Sequence, residues 1–256
     1  MTPPESAAAK SLPFGTWLRM YLRLFAVQGA WNYETMLGNG IAFCTEPALR
    51  LLPGGMKGER YAEAMVRQAR YFNAHPYLAG VAVGALARAE LDNVSPQLIE
   101  RFRTALGGPL GSVGDRLVWA SWLPLCSLLG LAAFGMDAPP AAVVGIFLVT
   151  YNIGHFALRA WGLRVGFRKG LRVADALAHP ILRRGPQYVG SAAALLAGIA
   201  IPLAAREVIG GGRFLAAEII LLAIGGGLLL ARFERIQGWR LSLGVLALFV
   251  LYSVIR

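Results

Sequence analysis

Hydrophobic and polar residues alternate along this chain in two different ways. From Leu117 onward, long apolar runs are separated by short charged ones. Leu117–Met136 holds no formal charge, Pro139–Leu158 has no Asp, Glu, Lys or Arg and only His155 that titrates near neutral pH, and Pro186–Ala205 is a third uncharged run. Phe214–Ala231, interrupted by Glu218, and the shorter Leu241–Ile255 follow. Apolar stretches of about 20 residues match a hydrocarbon core of roughly 30 Å at about 1.5 Å rise per residue. The pattern predicts an all-α, polytopic membrane protein with about five transmembrane helices in this half.

Before Leu117 the pattern is amphipathic and offers no clean span. Phe14, Trp17, Leu18, Tyr21 and Phe25 recur at helical spacing, with Arg19 and Arg23 on another face. Such a helix lies in a membrane interface or packs on a neighbouring subunit, and the spacing leaves both open. Glu59–Phe72 reads as a second amphipathic helix with a scaffold role, with Tyr61, Met65 and Phe72 on one side and Glu63 four residues before Arg67. Pro76–Ala89 is apolar and rich in glycine but too short to cross, which suits a re-entrant segment or a buried half-helix. A further break is expected at Gly107–Asp115, and interruptions at membrane depth often border transport sites. The chain thus divides into a disordered tail (1–13), an amphipathic and re-entrant region (14–116) and a transmembrane helical region (117–256), the last two forming one continuous membrane domain.

Composition agrees with that division: 56% of residues are hydrophobic, only 15% are charged, and the mean hydropathy is +0.54. Too few charges exist to coat a water-exposed surface, where about 25% is usual. The formal charge of +11 admits nucleic acid, anionic lipid or cytoplasmic loops as an explanation. Position decides among them. If the five runs cross in turn, the loop Arg159–Gly185 holds seven Lys and Arg residues against Asp175, and Arg232–Arg240 holds three against Glu234. The opposite side receives Asp137, Arg206, Glu207 and Arg213. Such asymmetry places the N-terminus in the cytoplasm, gives the arginines anionic lipid headgroups as partners, and argues against nucleic acid. Residues 1–13 lack the apolar core of a secretory signal. Cys44 and Cys126 supply neither a disulfide framework nor a thiolate metal cage.

Candidate chemistry concentrates near the N-terminus. Read as a helix, Gln28, Asn32, Thr35 and Asn39 fall in a stripe about 60° wide, opposite Ala26, Ala30, Tyr33, Leu37 and Ile41. Neutral amides both donate and accept hydrogen bonds, which suits a polyol, with Trp31 as a stacking face and Glu34 as an acceptor farther round. A polar helix contact inside a complex fits the same periodicity. Asn73 lines a site or caps the following segment. Asp115 accepts from a ligand hydroxyl, pairs with a base, or caps a helix. His75, His155 and His179 have no ligand spacing, so no metal is expected. Gly107, Gly108, Gly111 and Gly114 lack the Lys-Ser or Lys-Thr pair of a phosphate loop. Gly162, Gly166 and Gly170 make a small-residue ridge for close helix packing. No nucleophile–base set and no nucleotide cradle is visible, so neither an enzyme nor a bound cofactor is expected.

These motifs, taken in order, resemble the IID component of the mannose/fructose/sorbose family of the bacterial phosphotransferase system. The similar stretches are Gln28–Glu34 with Met36, a weaker Glu46–Leu49, Tyr71–Pro76, Gly108–Leu110 through Gly114–Asp115, Trp119 and Pro124, then Tyr151–Asn152 through Gly162, Gly166 and Gly170. The resemblance covers about residues 20–172. It implies a multi-pass subunit of the bacterial cytoplasmic membrane that joins a IIC subunit, as a trimer of IIC–IID pairs, to conduct a hexose. Phosphoryl transfer would belong to IIA and IIB domains fed by HPr. Substrate-contacting residues would be Gln28, Asn32 and Glu34, then Asn73 and Asp115. Departures from the family pattern are Gly107 for a common methionine, Gly111 and Ser112 for an Ala-Gly pair, Leu91 for a second glutamate after Glu90, and Leu123 for a frequent arginine. These leave open a non-transporting regulatory or stabilising subunit derived from the same family.

Overall fold

The computed structural model describes residues 11–209 except His179. The expected spans Phe214–Ala231 and Leu241–Ile255 lie outside the described residues. In chain order the helices are α1 (Phe14–Arg23), α2 (Gly38–Leu49), α3 (Glu59–Ala69), α4 (Ala79–Leu91), α5 (Pro96–Gly114), α6 (Leu123–Gly135), α7 (Pro140–Lys169), α8 (Ala174–Leu177) and α9 (Pro180–Ile209). A π-helical stretch, Asp115–Trp122, joins α5 to α6 without a break. Among the described residues three stretches are long and apolar enough to cross a membrane: Pro96–Gly135, Pro140–Arg172 and Leu182–Glu207. The chain is thus an all-helical, multi-pass membrane protein, as its hydropathy requires.

Two expectations change. The first concerns Gly107–Asp115, which is not a break: the 40-residue helical run Pro96–Gly135 passes through it. Pro109 removes one backbone donor without stopping the helix. The glycines serve packing instead, since a Cβ at Gly107 would come within 2.7 Å of the Asn73 carbonyl oxygen and one at Gly114 would enter the His75 ring. The second concerns the cationic loop after Leu158. Helix α7 continues to Lys169, so Arg159, Arg164 and Arg168 are helical residues, and Arg159 is only 3% exposed. Its burial is possible because backbone carbonyls and aromatic faces from the N-terminal region surround it.

Helix α4 is the centre of the packing. All but two of its 13 residues are buried, the signature of a helix enclosed by protein on every side. At about 20 Å it is too short to span a bilayer. Its small residues permit close approach to α7: a Cβ at Gly80 would lie 2.9 Å from the Arg159 carbonyl oxygen, and one at Gly84 2.6 Å from the Phe167 nitrogen. From the other side Gly162 and Gly166 lie on the backbones of Val81 and Ala85. Gly80/Gly84 and Gly162/Gly166 are therefore two four-residue small-residue ridges pressed together. Gly170 has a different task from the one its spacing suggests. With φ of +53° it ends α7 in a conformation that side chains disfavour.

Two carboxylates tie the amphipathic region together. Glu46 receives Arg23 at 2.7 Å, Arg50 at 2.5 Å and the Tyr61 hydroxyl at 2.9 Å. Burial alone would raise its pKa, but these donors outweigh burial and hold the carboxyl below its ordinary value. Glu90 accepts two bonds of 2.9 Å from Arg67 and one of 2.7 Å from Gln68, while Arg103 donates to Gln68 at 2.6 Å. Helix α3 thereby docks on α2, α4 and α5 through satisfied polar pairs rather than a wide apolar face.

Candidate functional site

Residues 27–37 form turns rather than the amide-striped helix that spacing suggests. The reason lies in Asn32. Its Oδ1 accepts from the backbone N–H groups of Glu34 and Thr35, both at 2.9 Å, and its Nδ2 donates to Thr35 Oγ1 at 2.9 Å and to the Ala30 carbonyl at 3.1 Å. A short amide that satisfies local backbone groups stabilises a turn in competition with helix. The turn delivers Met36 at φ of +52°, with its N–H on the Asn32 carbonyl at 2.9 Å. A side chain with positive φ is held there only by surrounding contacts. Here these include paired backbone bonds to the next segment, Leu37 N–H to Phe72 O at 2.9 Å and Phe72 N–H to Thr35 O at 3.1 Å.

The five residues singled out by sequence are distributed around this junction. Gln28 and Glu34 are exposed and Asn32 is half-buried. Beside them Trp31 and Tyr33 pack edge to face at 4.9 Å and stand 45% and 84% exposed. Asn73 is exposed one residue beyond Phe72, and its backbone lies against Gly107 of α5. Asp115 is exposed at the start of the π-helical stretch, next to the Gly114 that seats His75. The segment 71–76 therefore links the Asn32 turn to the α5 junction, bringing three sequence-distant motifs into one neighbourhood. Asn39, the last residue of the expected stripe, lies in the first turn of α2 and not in line with the others.

Beneath this surface lies a group that sequence reading missed. The His75 ring is 5.2 Å from Tyr77 and 5.1 Å from Trp119, and the Tyr77 and Tyr151 hydroxyls share a hydrogen bond of 2.7 Å. His155 lies 4.5 Å from Tyr77 and 5.6 Å from Phe25. Arg159 ends the cluster: its guanidinium donates to the carbonyls of Leu24 and Pro76 and sits 4.9 Å from the Tyr77 ring and 5.4 Å from Phe25. Cation–π contact and carbonyl donation replace the carboxylate that a buried arginine usually finds. The signal in the sequence is the spacing Tyr151, His155, Arg159, four residues apart on one face of α7.

His75 is neutral. Burial pushes its pKa down to about 4, against a smaller opposing pull from Asp115. Its Nδ1 accepts the Tyr77 backbone N–H at 3.2 Å, which leaves the proton on Nε2, and that atom is buried without a hydrogen-bond partner among the described residues. Among the described residues no group of three His, Cys, Asp or Glu side chains is arranged to hold a metal ion. What the junction offers is exposed amide, carboxylate and aromatic groups carried on a hydrogen-bonded frame, the functional groups that bind neutral hydroxylated molecules.

Fold and site thus define a helical membrane protein with a polar, aromatic-edged junction built from its amphipathic region. The chain belongs to the mannose/fructose/sorbose family IID components of the phosphotransferase system, whose family model matches residues 14–197. It is 32% identical over 183 residues to the sorbose-specific EIID component of Klebsiella pneumoniae, covering 68% of this chain and 64% of that protein. Over 171 residues it is 28% identical to the mannose-specific EIID component of Escherichia coli K12, covering 64% and 59%. The chain therefore spans somewhat under two thirds of these relatives' lengths. In fold it is similar to a chain of the complex of mannose transporter ManYZ with microcin E492, with TM-score 0.58 and 20% identity over 96% of this chain and 98% of that one. A second solved membrane protein, also 20% identical with the same coverage, superposes with TM-score 0.70.

Proposed function

We propose that this chain is the IID subunit of a sugar phosphotransferase permease of the bacterial cytoplasmic membrane and forms, with a IIC subunit, the path of a hexose of the mannose, fructose or sorbose type. The observation that carries the reading is the meeting of the Asn32 turn, the 71–76 segment and the Asp115 junction, three motifs far apart in sequence. Gln28, Glu34, Asn73 and Asp115 present exposed donors and acceptors to the sugar, while Asn32 chiefly positions the turn. Phosphoryl transfer falls to IIA and IIB partners supplied by HPr, and the complex is a trimer of IIC–IID pairs. The N-terminus faces the cytoplasm, in keeping with Arg168, Lys169 and Arg172 at the end of α7, the same end against which α4 packs.

The test is hexose uptake in cells expressing the chain with its IIC partner at matched membrane abundance. Uptake falls in Gln28→Ala and Asp115→Asn while the complex co-purifies. The alternative role, a non-transporting regulatory or stabilising subunit, predicts that deletion alters partner abundance or signalling and leaves uptake unchanged. Gly107 gives that alternative its interest, because the methionine common in the family would press on Asn73 here.

A further inference from the structure

One side of α7 carries a second, chemically different feature. Gly154, Ala157, Leu158, Trp161, Val165 and Lys169 line a cavity of about 640 Å³, closed on its far wall by groups including Trp122 and Val189. These α7 positions make a continuous stripe, about 22 Å from Gly154 to Lys169 at 1.5 Å per residue. One leaflet of a bilayer is about 15 Å deep in hydrocarbon, so the stripe is long enough for an extended acyl chain with its last turn left over at headgroup height. That turn ends in the exposed Lys169, with Arg168 beside it and Arg172 one turn on. Asp175 also lines the cavity, but among the described residues no carboxylate lies within 4 Å of the Lys169 ammonium. An apolar trough inside membrane-crossing helices, ending in a cation without an acid partner, is complementary to an anionic phospholipid.

We infer that this trough is a specific site for one anionic phospholipid of the leaflet facing the α7 C-terminus, its acyl chain along Gly154–Val165 and its phosphate on Lys169. The inference rests on the membrane location of α7 and not on the transport reading. The test is native mass spectrometry of the full-length chain with its IIC partner, titrated with phosphatidylglycerol and, separately, phosphatidylcholine. One phosphatidylglycerol is retained and phosphatidylcholine is not. Lys169→Gln weakens retention by about fivefold, the scale of one basic contact to an anionic headgroup. Ala157→Trp, which fills the trough from an exposed position, abolishes retention with the complex intact, and Arg168→Gln, outside the lining, has a smaller effect than Lys169→Gln. Equal retention of the two lipids overturns the inference, as does unchanged binding in both trough variants. So does a cysteine placed at Ala157 that crosslinks to a IIC helix or to residues 210–256 of this chain in native membranes, since a protein segment would then occupy the trough.

Discussion

Helix α4 and the turn at residues 27–37 are similar in length, yet they hold their shapes by opposite means. In α4 nearly every residue is buried, polar atoms are few, and glycine against backbone fixes the distance to α7. In the turn the side chains are largely exposed and one amide, Asn32, organises the segment through four hydrogen bonds, three to backbone groups and one to the Thr35 hydroxyl. The first arrangement tolerates no added volume but is indifferent to solvent. The second leaves its neighbours Gln28 and Glu34 free to meet a ligand. Their difference teaches where a substitution should cost folding and where it should cost function alone.

The largest effect should come from adding volume at the ridge. Gly84→Leu and Gly166→Leu are expected to destabilise the chain by about 3 kcal/mol or more, the upper range of overpacking, visible as lost monodisperse protein and a lower Tm in detergent. Gly145→Ala, inside α7 with nothing within 4 Å of the new carbon, should not lower Tm and should raise it slightly, since alanine is the better helix former. Next is Arg159→Met, which removes the guanidinium donor from the Leu24 and Pro76 carbonyls. A loss of about 1–3 kcal/mol is expected, measured the same way, and it should reduce uptake by loosening both segments that hold the junction.

On the turn side the costs are smaller and more informative. Asn32→Ala removes a cap for two N–H groups and should cost about 1 kcal/mol; Asn32→Asp, which keeps the accepting oxygens, should recover most of that loss in Tm. Acid should also act here. His75 titrates near 4 when folded and near its ordinary 6.5 when unfolded, so between those values the unfolded chain binds the extra proton. Stability should therefore fall as pH drops from about 6.5 toward about 4, and His75→Phe should flatten that slope in a pH series of melting curves. Glu46, held low by its three donors, adds a further loss as pH falls through and below the ordinary carboxylate value, where the unfolded chain takes up the proton before the folded one does.

Much of this contrast is legible in the sequence, but unevenly. Apolar runs locate the crossing helices because bilayer thickness sets their length. Gly162 and Gly166 announce close packing because small residues at four-residue spacing have few other uses in apolar helices. The candidate residues stand out by type, whereas their shared helix face is not real: local competition between the Asn32 side chain and helical bonding is invisible to a 100° periodicity. Gly107–Asp115 misleads because glycine marks a break and a close approach with the same letter. Arg159 misleads most, since charge counting assigns it to a loop, and only tertiary structure supplies the two carbonyls and two rings that make its burial tolerable.

The central claim is that the exposed groups on the Asn32 turn serve a ligand and not the fold. Hexose uptake by Gln28→Ala, at wild-type Tm and at matched abundance with the proposed IIC partner, is the decisive measurement. Gln28 is exposed, so its loss should change stability by less than about 0.5 kcal/mol. Uptake should fall about fivefold, the equivalent of one hydrogen bond of roughly 1 kcal/mol; wild-type uptake and affinity in this variant would mean that Gln28 meets no ligand.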